Sequence, residues 1–86
     1  MKTETEIAKL NVKEYNIGCC KEHLASCQRN LKEDEEELTF INTLENRMKE
    51  RHITLFGFVA RRKAKVLRKI EDKESAIKIY DEEGIK

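Results

Sequence analysis

Leu10, Ile17, Leu24, Leu31 and Leu38 recur every seven residues, and three positions after each stand Lys13, Cys20, Cys27, Asp34 and Ile41. Taken as the a and d positions of a heptad, this spacing predicts a helix with one apolar seam over four to five repeats. Met48 prolongs the seam, while Glu45 and His52 dilute it. Asn16 and Gly18 are the weak point, because glycine inside a helix costs about 1 kcal/mol against alanine. The first element is therefore expected as one long helix from about Thr5 to Lys49, or as a short helix followed by a long one, broken near Gly18.

A second helix is announced by Thr54 as N-cap, with Ile53 and Phe58 spaced as a hydrophobic staple. At helical period Phe56, Val59, Ala60, Val66, Leu67 and Ile70 share one side, and Arg61, Arg62, Lys65, Arg68 and Lys69 the other. Lys63 falls in the middle of the apolar side and needs a partner. From Ser75 the pattern is ambiguous. Ala76 to Tyr80 alternates like a short strand, but a lone strand has no mate, so a helix with Gly84 as its C-terminal cap is preferred.

Two seams joined near residue 50 predict an all-α fold: an antiparallel helical hairpin with coiled-coil-like packing and a short C-terminal element, in one small domain spanning residues 1–86. One register pairs Leu38 with Val59, Leu31 with Val66, Cys27 with Ile70 and Ile41 with Phe56. It also sets Asp34 against Lys63, turning two polar misfits into one structural ion pair that fixes register. A register one heptad away suits the Thr54 cap better. In either, the first helix outruns the second, leaving Leu10, Ile17, Cys20 and Leu24 short of intramolecular cover unless the C-terminal tail folds onto them. An apolar seam without cover marks an interface.

Composition narrows the picture. The 86 residues hold no proline, three glycines and 41% charged residues, which favours helix over turn-rich β structure. A chain of this size buries about 60–65% of its extended surface. A small-molecule pocket needs roughly 300 Å³ or more, so a small-molecule substrate is not expected. The net charge of +1 is unevenly spread: Arg47 to Lys69 holds nine Lys/Arg and one acid, making +8 there and −7 elsewhere. Three cysteines, two adjacent, are poor material for a disulfide framework. Neither a signal-like apolar segment nor a run of the roughly 20 apolar residues of a membrane span is present, so a cytoplasmic protein without membrane contact is expected.

Chemistry-bearing patterns are few. Cys20, His23 and Cys27 lie on one helix face with Cys19 beside them, a set zinc would accept. One straight helix does not wrap a tetrahedron, so the cysteines are read as small apolar fillers of the seam, with no metal or cofactor. Phe56-Gly57-Phe58-Val59 matches the centre of an aromatic RNA-binding strand motif, but its flanking residues are absent and no companion strand fits upstream. With two histidines and no nucleophile or phosphate-loop motif, no catalytic residue is assigned.

The expected function is therefore that of a non-catalytic interaction or adaptor protein. It would self-associate as a homo-oligomer, or dock on a helical protein partner, through Leu10, Ile17, Leu24 and Leu31. The alternative is a small nucleic-acid-binding protein that tracks phosphates with Arg61, Lys65 and Arg68, assisted by Arg62 and Lys69.

Overall fold

The computed structural model describes residues 2–51 and 56–85. The expected cap at Thr54 and staple residue Ile53 lie outside them, as does the side chain of Phe56. The described chain is three helices: α1 (Glu4–Lys13), α2 (Ile17–Glu50) and α3 (Phe56–Glu82). No strand occurs among the described residues.

Each boundary has a local cause. Thr3 caps α1 by accepting from the Glu6 amide, and Glu4 and Glu6 place negative charge at the positive end of the helix. The chain then reverses direction at Tyr15, whose φ of 54° is left-handed. Asn16 caps α2, its side chain accepting from the Cys19 amide at 3.2 Å. The break expected near Gly18 thus falls at residues 14–16, where a good cap stands. Gly18 sits in the first turn of α2, where it disturbs little. The ambiguous tail is helix. It is no separate element but the end of α3, closed at Gly84 with φ 73°. The Ile85 amide bonds the Tyr80 carbonyl and the Gly84 amide that of Asp81, the two bonds of a Schellman turn.

The core falls into two clusters. One joins Ala8 of α1, Cys20, Leu24 and Cys27 of α2, and Ala76, Tyr80 and Ile85 at the end of the chain. The other joins Ile41 with Val59, Val66 and Ile70, flanked by Leu31, Leu38 and Met48. Burying a side chain such as Ile41 is worth about 1.5–3 kcal/mol. The principal extents, 53 × 22 × 16 Å, describe a rod whose length is set by α2. The radius of gyration of 16.3 Å exceeds the roughly 12 Å of a compact chain of this length.

Two expectations are corrected. Asp34 does not meet Lys63: it pairs with Lys73, ten residues further along α3, and Lys63 pairs with Glu45 at 3.1 Å. Cys27 likewise packs with Ala76 and Tyr80 rather than with Ile70. The register slides because α3 continues to Glu82 and its last apolar residues claim the early part of α2. The early seam is also not left bare. α1 folds back and, with the end of α3, covers Cys20 and Leu24, so Leu24 is a core residue here.

Candidate functional site

The richest chemistry lies where α1 packs on α2 and α3. Asp72 of α3 accepts from the Glu4 and Thr5 amides at 2.8 and 3.1 Å and from the Thr5 hydroxyl at 2.7 Å. It therefore supplies the acceptors that the open end of α1 lacks. Burial alone would raise the Asp72 carboxyl. The bonds from Thr5 and Glu4, with Lys73 nearby, outweigh it and hold the group below its usual range.

This docking swings Glu4 over α2. Its carboxylate is hydrogen-bonded to His23 Nε2, and Cys27 Sγ lies 3.6 Å from the same Glu4 oxygen and 3.4 Å from His23 Nε2. The other ring nitrogen, Nδ1, is 2.5 Å from the Tyr80 hydroxyl, which also accepts from the Asn11 side chain at 3.2 Å. The His23 and Tyr80 rings meet edge to face, with centroids 5.5 Å apart. Tyr80 is fully buried, and burial pushes its hydroxyl pKa up.

A cysteine beside a histidine invites a nucleophile reading, but this geometry does not support it. Cys27 meets Nε2, the nitrogen already hydrogen-bonded to the Glu4 carboxylate, so that nitrogen is not free to take the thiol proton. Burial and the Glu4 charge push the Cys27 thiol up to about 12, and its residue is 1% exposed. Such a thiol is inert as a nucleophile. Cys20 is buried and its thiol also raised, first by burial and then by Cys19.

The residues singled out from the sequence are scattered. Leu10 and Ile17 are 37% and 48% exposed, Leu31 is half-buried against the second cluster, and Leu24 is enclosed. Arg62 bonds Glu37 at 3.2 Å. Among the described residues, Arg61, Lys65, Arg68 and Lys69 have no carboxylate within ion-pair distance. Lys65, Arg68 and Lys69 line one open depression of about 530 Å³ with Thr3, Thr5, Ser75 and the acids Glu71 and Asp72. Of the set Cys20, His23 and Cys27, only the last two converge. Glu4, which joins them, carries no signal in the local sequence: it lies 19 residues before His23 and arrives only through the chain reversal at Tyr15.

No known protein family, curated protein or solved structure matches the chain. No helix among the described residues is long and apolar enough to cross a membrane.

Proposed function

We propose that the chain is a non-catalytic helical interaction protein that works by self-association or by docking on a helical partner. The observation that carries this reading is the placement of its aromatic side chains. The chain has five Phe and Tyr residues. Among the described aromatic side chains only Tyr80 is in the core, while Tyr15, Phe40 and Phe58 are 83%, 59% and 73% exposed. Aromatic side chains are enriched at interface centres because they bring large area at low entropic cost.

Their arrangement supports the same reading. As residue numbers fall along α2, through Glu45, Asp34 and His23, their partners rise along α3, through Lys63, Lys73 and Tyr80. This order of partners supports reading α2 and α3 as an antiparallel hairpin with coiled-coil-like packing. Phe58 precedes Ala76 by eighteen residues, which is five whole turns at about 3.6 residues per turn. Both therefore lie on one line of α3. Around Ala76 that line is covered, with Ala8 of α1 in the same cluster; α1 is too short to reach Phe58. Phe40 and Leu44, one turn apart on α2, are exposed as well. The interface so proposed uses Phe40, Leu44 and Phe58, with Leu10 and Ile17 at the other end.

Sedimentation equilibrium at tens of micromolar tests the self-association arm. The wild-type mass is expected above 10.2 kDa, and F40D/F58D is expected to sediment as the monomer with unchanged helicity. A wild-type monomer would remove that arm.

A second reading has its own observation. Lys65, Arg68 and Lys69 share one depression with Glu71 and Asp72, and among the described residues none of the three is within ion-pair distance of a carboxylate. Binding to mixed-sequence duplex that falls steeply with salt and disappears on reversing Arg61, Lys65 and Arg68 would favour nucleic acid over a protein partner.

A further inference from the structure

We propose that Glu4, His23 and Cys27 form a binding site for a zinc-class divalent metal ion that ties α1 to α2. This site goes beyond the interaction reading and does not depend on it. The three residues offer a carboxylate oxygen, an imidazole nitrogen and a sulfur within 4.8 Å of one another. The donors come from two helices packed together, α1 and α2, so they can surround an ion as one straight helix cannot.

Distances decide in favour of a small tetrahedral ion. Zinc lies about 2.3 Å from sulfur and about 2.0–2.1 Å from nitrogen or oxygen, so a tetrahedron sets sulfur about 3.5–3.6 Å from each lighter ligand. Cys27 Sγ is 3.4 Å from His23 Nε2 and 3.6 Å from Glu4 Oε2. Two of the three ligand–ligand edges thus lie close to the length the ion requires. The third, the hydrogen bond between His23 and Glu4, has to open to about 3.3 Å. The Glu4 side chain, 36% exposed, has room to move.

The surroundings match what a ligating histidine needs. Tyr80 faces the opposite ring nitrogen at 2.5 Å and is itself held by Asn11. When Nε2 ligates, the ring proton sits on Nδ1 and is donated to the Tyr80 oxygen, which fixes the ring plane. On binding, the Cys27 thiol gives its proton to solvent. Thiolate and carboxylate then carry two negative charges against the two positive charges of the ion. Sulfur and nitrogen donors exclude magnesium and calcium, which take oxygen. Cys19 is exposed and Cys20 belongs to the core, and neither is in the set.

Cobalt(II) titration of the reduced, tag-free protein tests the site, because a cobalt–thiolate bond gives a charge-transfer absorption and tetrahedral ligation gives intense visible bands. One equivalent is expected to bind, with zinc displacing it. C27S should abolish the charge-transfer band, E4Q should weaken binding at least tenfold, and C19S should bind as the wild type does. Y80F should weaken it by about 10–100-fold, the usual effect of removing a residue that orients a ligand. Circular dichroism of each metal-free variant reports folding, and E4Q, altered at a partly exposed residue, serves if C27S is unfolded. Absence of the band in the wild type, its survival in C27S, or its loss in C19S alone would overturn the proposal, the last by showing an adventitious Cys19–Cys20 site.

Discussion

Asp34 and Lys73 form a buried ion pair between α2 and α3, their side chains only 12% and 11% exposed. Removing one member leaves the other buried without a counter-charge, which costs about 3–5 kcal/mol. Lys73→Ala is therefore expected to lower the melting temperature sharply. Replacing both, as D34L/K73M, should be neutral or stabilising, because two desolvated charges give way to apolar packing. Thermal unfolding followed by circular dichroism separates the two outcomes. Asp34 was legible as a polar residue in an apolar seam, but its partner was not. Lys63 and Lys73 both fall on the inward side of α3, and only the length of that helix chooses between them. Once Ala76 and Tyr80 pack on Cys27, Asp34 is carried to Lys73 and Lys63 is left for Glu45.

Heptad spacing revealed α2, and the apolar side of α3 was readable through Val59, Val66 and Ile70, all buried. α1 shows where such reading stops. Its ten residues are too few to form a stable helix alone, and it persists because Ala8 is buried and Asp72 holds its first amides. A cap donated from another helix leaves no local signature. Asp72→Ala should destabilise the protein by about 1–2 kcal/mol, the usual worth of an N-terminal cap. The pH dependence has a definite sign. Asp72 is held below its ordinary value of 3.8, so its stabilisation is complete above that value. It is lost as the pH falls from there through the lower native value. Urea unfolding across the acid range should show this loss in the wild type, and D72A should lack that part of it.

The whole molecule is a rod with charges of both signs and a net charge of +1. Long-range repulsion therefore does little to keep copies apart. Association through Phe40 and Phe58 would be apolar, so the sedimenting mass should hold or rise as salt is increased. Pairing of the basic stretch of α3 with the acidic stretch of α2 in another copy would weaken instead. Comparing the mass at low and high salt distinguishes them. At this scale the sequence disclosed that apolar surface remains but misplaced part of it. Leu24 is enclosed by α1, and Phe40 was never part of the heptad seam. The cluster at Glu4 was half legible: His23 and Cys27 declare themselves one turn apart, whereas Glu4 needs the whole fold to reach them.

The bond from the Glu4 amide to Asp72 spans 68 residues. On a ribosome, the segment that becomes α1 emerges well before the residues that hold it. Its contacts with α2 can form first, but its docking is complete only once Asp72, Ala76 and Tyr80 have cleared the exit tunnel. The earliest of the three helices to be made thus completes its packing only with the last, and a chain cut short before α3 is complete would leave that segment with only part of its dock.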